Sequence, residues 1–363
     1  MFIRVDRNEK NPLWSAYEKG DLEKFQQLIE KGTNINCILH SHSLIYTIVL
    51  NSKDKPKTSK KFFDLLLNAN VHLGDIGWYS NVMEHAATKT SDIYYFKKLL
   101  EKGVDVDYHI ERTEEGVGFR PPPLVIKLIC NRDWDKLELL LKYNPNLNVF
   151  NEFGEIALDY LIKNIDIENE HLVELLIKGG ADPKITSINR NTSPLHCAAK
   201  HLESQKIFDV LLSSGVNIDV LTKENMTPLF FAVYSKLEKG ASYLISKGAD
   251  VNKQDIQGRT PAFIAAQVCS PKMLNLLSKH NADFSIKNND GENVFHYICS
   301  SHYINNIADE DVRAEFIQFM ADNIDLLSVK DSENKTPLDI LSYAHEKDAN
   351  FLSKLIDESQ RLL

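Results

Sequence analysis

His196 followed by Cys197, and His296 close to Cys299, are the residue types that could pair a thiolate nucleophile with an imidazole base. Such a dyad needs both side chains to converge, and neighbouring residues of one helix point in different directions. Both cysteines stand near small residues, which suits buried packing positions better than a reactive site. Glu114-Glu115 and Asp309-Glu310-Asp311 offer the paired carboxylates that general acid–base chemistry uses, but they lie in polar, loop-like stretches and read as solvated charge. The five cysteines, Cys37, Cys130, Cys197, Cys269 and Cys299, contain no Cys-x-x-Cys pair, which fits reduced thiols in a cytosolic chain. No phosphate-cradling glycine motif and no cluster with metal-ligand spacing stands out. The expectation is a chain with no catalytic residue, no metal, no cofactor and no small-molecule substrate.

The elements that carry these residues recur. Ser193-Pro194-Leu195-His196, Thr227-Pro228-Leu229-Phe230, Thr260-Pro261-Ala262-Phe263 and Thr336-Pro337-Leu338-Asp339 follow one another at offsets of 34, 33 and 76 residues, and Asn293-Val294-Phe295-His296 divides the last gap into 33 and 43. A Ser or Thr before a helix can accept an orphan backbone N–H through its hydroxyl, and proline fits the first turn, where its missing donor is not needed. Each segment therefore starts a helix. Further on, apolar runs such as Phe208-Asp209-Val210-Leu211-Leu212 and Tyr243-Leu244-Ile245 end at Gly215 and Gly248, glycines placed to close a second helix with positive φ. A unit is thus a helix, a tight turn, a second helix and a Gly/Asn/Asp-rich loop.

This pattern resembles the ankyrin repeat, a unit of about 33 residues with the signature Thr-Pro-Leu-His-x-Ala. Ser193 to Ala198 matches it with Ser for Thr, and Gly248-Ala249-Asp250-Val251-Asn252 leading to Asp255-Ile256-Gln257-Gly258-Arg259-Thr260-Pro261 matches the junction between units. The same frame places weaker copies at Ile156-Ala157-Leu158-Asp159, Pro122-Pro123-Leu124-Val125, Asn81-Val82-Met83-Glu84, His42-Ser43-Leu44-Ile45 and Asn11-Pro12-Leu13-Trp14. The resemblance implies an all-α solenoid of about ten helix-turn-helix units with short hairpin loops. It is expected as one continuous domain over 1–363, with irregular repeats in 1–150, regular repeats in 151–345 and a capping helix over 346–363. It also implies that His196 and His296 hydrogen-bond the backbone of a neighbouring loop.

Composition narrows the function. A net charge of −9 lacks the basic face that a nucleic-acid backbone selects. No apolar run reaches the length of a bilayer span, and Met1-Phe2-Ile3-Arg4-Val5-Asp6 lacks the apolar core of a secretion signal. The chain is expected in the cytoplasm, without nucleic-acid or membrane partners. With 43% hydrophobic residues it can bury a large interior, spread along a stack.

Departures from regularity mark where a partner would sit, because insertions in a repeat array fall in loops on one face. The loop Tyr108 to Pro121 is lengthened and carries Phe119 and Arg120. The basic stretch Asn51 to Lys61 and the acidic stretch Ser300 to Arg313 read as solvated loops between helices. Three positions before each helix-starting residue, where ankyrin-like repeats have a loop tip, the residues are Asn8, Leu39, Trp78, Phe119, Phe153, Arg190, Glu224, Gln257, Asp290 and Glu333. The second to fifth units thus present large apolar tips, and the later ones polar tips. Clustered exposed aromatics are typical binding anchors. Lys200, Tyr234 and Gln267, on the face that is concave in such repeats, form a second candidate surface.

The resulting expectation is a non-enzymatic scaffold that binds a partner protein through its concave face and loop tips. The abundance of Lys, Asn and Ile with degenerate repeats looks like a bacterial effector of this family, delivered into a host cytosol to act on host proteins. The alternative is an enzyme with active residues in the loop insertions, or the targeting module of a larger enzymatic assembly.

Overall fold

The computed structural model describes residues 3–4, 11–39, 42–54, 56–73, 82–107, 123–300 and 310–344. Among these the chain forms two compact units, Met1–Asn164 with Leu175–Ala181, and Ile165–Glu174 with Asp182–Leu363. The expected capping helix over 346–363 lies outside the described residues.

In the first unit, strand β1 (Ile3–Arg4) pairs in parallel with β2 (Cys37–Leu39), which pairs antiparallel with β3 (His42–Ser43). This small sheet is the one local addition to the all-α expectation among the described residues. Helices α1 (Pro12–Lys19) and α2 (Leu22–Glu30) follow β1, and α3 (Leu44–Leu50), α4 (Pro56–Asn68), α5 (Val82–Thr88), α6 (Ile93–Glu101), α7 (Leu124–Cys130), α8 (Trp134–Leu141) and α9 (Ala157–Asn164) complete the unit's pairs. First helices stack on first helices, α3 on α5, α5 on α7 and α7 on α9, while α2 packs on α4 and α6 on α8 in a second layer. The apolar face of each helix is buried between these layers, with Phe25, Phe62, Phe63 and Phe96 at no more than 1% exposure.

Helix α10 (His171–Lys178) has residues in both units. In the second unit, α11 (Pro194–His201), α13 (Pro228–Tyr234), α15 (Pro261–Gln267), α17 (Val294–Cys299) and α19 (Pro337–Ala344) form the layer of first helices. Behind them lie α12 (Gln205–Ser213), α14 (Glu238–Ser246), α16 (Pro271–Lys279) and α18 (Glu310–Asp322). Leu211 and Leu244, on second helices, are fully buried, as their positions in the apolar runs require.

The helix-ending signals act as expected. Gly32, Asn70, Gly103, Asn144 and Gly180 in the first unit, and Gly215, Gly248 and Asn281 in the second, all have positive φ just past a second helix. Only glycine and, at modest cost, asparagine enter this left-handed region readily. The insertions behave differently from solvated loops. Asn51–Lys53 is a 3-10 turn and α4 already begins at Pro56, so much of the basic stretch is helix; likewise α18 begins at Glu310. Lys136 is buried in the first unit, where it donates from Nζ to the carbonyls of Ala87 (2.9 Å) and Thr90 (2.6 Å) and pairs with Asp133 (2.8 Å), tying α8 to the end of α5. No described helix is long and apolar enough to cross a membrane.

Candidate functional site

Equal repeats put the seventh residue after each helix cap on the same side of successive first helices. Lys200, Tyr234 and Gln267 occupy that position on α11, α13 and α15. Lys200 is exposed, Tyr234 is 57% exposed and Gln267 is half-buried. Phe231, one turn earlier on α13, is half-buried and sets its ring edge-on to His196 at 5.0 Å. This face is rigid beneath its surface, because α13 packs on both α11 and α15.

The loops between repeats in the second unit form hairpins, each closed by a main-chain bond: Ser187 N to Thr192 O, Thr222 N to Met226 O, Asp255 N to Arg259 O, Asn288 N to Glu292 O and Asp331 N to Lys335 O. Neighbouring tips are joined to each other. Lys223 N donates to Arg190 O (3.1 Å), Ile256 N to Glu224 O (2.9 Å), Asn289 N to Gln257 O (2.9 Å) and Ser332 N to Asp290 O (3.4 Å). The approach is close enough to demand glycine: at Gly258, with φ +77°, an added Cβ would stand 2.7 Å from Asn289 Oδ1 and 3.0 Å from its backbone nitrogen. Asp255 stiffens the same hairpin, accepting from Gln257 N and Arg259 N through Oδ1 and from the Arg259 guanidinium through Oδ2.

Tip exposure departs from the polar reading of the later repeats. Ile188 is 58% and Ile256 56% exposed, each at the start of its hairpin. In the first unit, Phe153 is 58% exposed, on a hairpin whose Asn151 Oδ1 accepts from Phe153 N and Glu155 N, both at 2.9 Å. Trp78, Phe119 and Arg120 lie outside the described residues, and so does the side chain of Leu39, whose backbone belongs to β2.

The Cys/His neighbours make no catalytic pair. Ser193 donates its N–H to His196 Nδ1 (3.1 Å), so the ring carries its proton on Nε2, which meets Met226 O at 3.1 Å. Burial pushes this imidazole down to about 4. His296 likewise takes the Asn293 N–H on Nδ1 and directs Nε2 at Lys335 O (3.2 Å). Cys197 is buried, and Cys299 is buried against Met320 Sδ at 3.5 Å, its thiol pushed well above the ordinary range by desolvation. Glu114-Glu115 and Asp309 lie outside the described residues, and Asp311 is exposed. Among the described residues, no group of His, Cys, Asp and Glu could hold a metal ion.

Two family models match part of the second unit, "Ankyrin repeats (3 copies)" over residues 165–255, which include His196, and "Ankyrin repeats (many copies)" over 238–277. The chain carries ankyrin repeats. Its ankyrin solenoid is also seen in the crystal structure of the ankyrin repeat domain of Bcl-3, with a TM-score of 0.52 at 20% identity, covering 66% of this chain and all of that one. In sequence the chain is similar to human transient receptor potential cation channel subfamily A member 1, 24% identical across 92% of this chain and 29% of the relative. It is also similar to the mouse B-cell lymphoma 3 protein homolog, 30% identical across 34% of this chain and 29% of that protein. The chain thus spans under a third of the length of either curated relative. Ankyrin repeats are, as a class, modules for protein–protein interaction.

Proposed function

We propose that this chain is a non-enzymatic scaffold that holds a partner protein on its first-helix face and loop tips. The observation that carries this reading is Tyr234: a ring 57% exposed on a rigid face, one repeat along from exposed Lys200. Large rings left in water on a firmly backed surface are the usual anchors of protein interfaces. Phe153 belongs to the proposed surface, with Leu39, Trp78 and Phe119 as the apolar anchor of the N-terminal half and Arg120 as a partner-binding cation beside Phe119. The repeats are taken to run as one stack over 1–363. The partner is a protein rather than nucleic acid, membrane or small molecule, in keeping with the net charge of −9. The chain acts in the cytoplasm, as an effector delivered into a host cytosol and directed at host proteins.

The test is retention of proteins from eukaryotic cytosolic extract on the immobilised full chain, beside a Lys200→Ala/Tyr234→Ala/Gln267→Ala variant. A saturable partner kept by the parent and lost by the variant, at unchanged thermal midpoint, is the expected result. Equal retention by both would overturn the assigned surface, and no retained protein at all would overturn the scaffold reading.

A further inference from the structure

The tip row of the second unit is neither uniform nor neutral. Ile188 and Ile256 stand at the starts of two hairpins separated by one other, and that middle hairpin presents Lys223, an exposed cation. Lys223 Nζ donates to Ile188 O at 2.9 Å, which holds the ammonium against the first hairpin and leaves its other donors available. Arg190 is exposed on the first hairpin, and Lys223 N–H bonds to its carbonyl, so the two cations occupy adjoining tips. Glu224, beside Lys223, is half-buried and its carbonyl is engaged by Ile256 N. Further along the row the sign reverses, with exposed Asp290 on the fourth tip. Two aliphatic side chains thus bracket a positive stretch, and the row has a polarity.

We propose that this row binds an extended segment of a partner protein in which carboxylates are bracketed by aliphatic side chains. The aliphatic groups rest on Ile188 and Ile256, the carboxylates face Arg190 and Lys223, and the uncharged or basic end of the segment continues over Asp290. The spacing agrees with an extended chain. Packed helices lie roughly 8–10 Å apart, which puts alternate repeats roughly 16–20 Å apart. A strand advances about 3.3 Å per residue, so the two aliphatic anchors of the ligand stand about five or six residues apart. The main-chain bonds between tips fix the row before binding, so little ordering is required of the receptor. Charge complementarity of this kind selects a partner and sets its direction more than it adds raw affinity. The inference rests on the scaffold reading and adds the chemistry of the bound segment.

It is tested by selecting phage-displayed random linear peptides of about twelve residues on the full chain, a length that spans the row with a margin. Enriched sequences should carry carboxylates between aliphatic residues. A synthetic peptide of the enriched sequence should lose about ten-fold or more in affinity to the Arg190→Glu/Lys223→Glu variant and to the Ile188→Ala/Ile256→Ala variant, and keep its affinity for Lys272→Ala, a change at an exposed residue of α16. Enriched peptides that lack carboxylates, or that bind both strip variants as the parent does, would overturn the proposal. So would a concentration-dependent dimer abolished by Ile188→Ala/Ile256→Ala, since the row would then be an interface between copies of this chain. If extract proteins are still retained and depend on Lys200, Tyr234 and Gln267 while the strip variants change nothing, the scaffold reading stands and this inference falls. If neither peptide nor protein is retained, both fall.

Discussion

His196 and Met226, thirty residues apart in sequence, are joined by a 3.1 Å contact from the imidazole Nε2 to the main-chain carbonyl oxygen. With Nδ1 occupied by the Ser193 N–H, the ring is neutral in the fold and acts as a bracket between one helix start and the next hairpin. The folded imidazole sits at about 4 against 6.5 for a free side chain, burial being the largest cause. A depressed value of this kind contributes stability that is complete above the unfolded value and is lost as pH falls through 6.5 towards 4. One pKa unit corresponds to about 1.4 kcal/mol, so this group alone withdraws up to about 3 kcal/mol by pH 4. Urea melts of the parent should therefore weaken over that window more steeply than melts of His196→Gln. Parallel pH profiles for the two proteins would contradict it.

Lys136→Met should cost about 2–4 kcal/mol, because the carbonyls of Ala87 and Thr90 and the carboxylate of Asp133 lose the same donor inside the first unit. Denaturant midpoints of the full chain report this. A change under about 0.5 kcal/mol, the range of ordinary surface substitutions, would mean that the carbonyls find water instead.

Leu211→Ala should cost about 2–5 kcal/mol, as expected for a fully buried leucine whose site cannot collapse. In a stack each repeat depends on its neighbours, so the melt should broaden as well as shift. An unchanged midpoint would place Leu211 outside the core.

Gly258→Ala and Gly32→Ala compare strain with and without a neighbour. Both have positive φ, +77° and +79°, but only at Gly258 does a Cβ meet backbone, 3.0 Å from Asn289 N. Gly32→Ala should cost about 1–2 kcal/mol, the left-handed penalty alone, and Gly258→Ala clearly more. Calorimetric midpoints of the two variants rank them, and equal losses would show that the hairpins separate freely.

The starts of the regular helices are legible because proline after Ser or Thr fixes them: α11, α13, α15 and α19 begin at Pro194, Pro228, Pro261 and Pro337. What the third residue onward contributes is subtler. Ser193 Oγ meets His196 Nδ1 at 2.9 Å and Thr336 Oγ1 meets Asp339 Oδ2 at 2.8 Å, yet the Thr227 hydroxyl has no bond, because Phe230 has nothing to reach back with. Lys136 reads as a surface lysine in Asp133-Trp134-Asp135-Lys136; only the carbonyls at the end of α5, 46 and 49 residues earlier, explain its burial. At the third tip of the second unit both Gln257, the position that spacing marks, and its neighbour Ile256 are exposed, so the spacing finds the tip but not the apolar side chain beside it. Around Ile188 the hairpin holds one residue more than at Ile256, closing from Ser187 to Thr192 rather than from Asp255 to Arg259.

Each joint between hairpin tips has a main-chain hydrogen bond, to which Lys223 Nζ, Asn289 Nδ2 and Ser332 Oγ add bonds to carbonyls of the preceding tip, and the main-chain part separates architecture from recognition. Any residue except proline can supply the N–H at 223, 256, 289 or 332, so that bond is blind to the side chain of its donor. Side chains such as those of Ile188, Arg190 and Ile256 can therefore be exchanged one at a time, like type set in a fixed frame. A new partner can be acquired by rewriting letters without resetting the line.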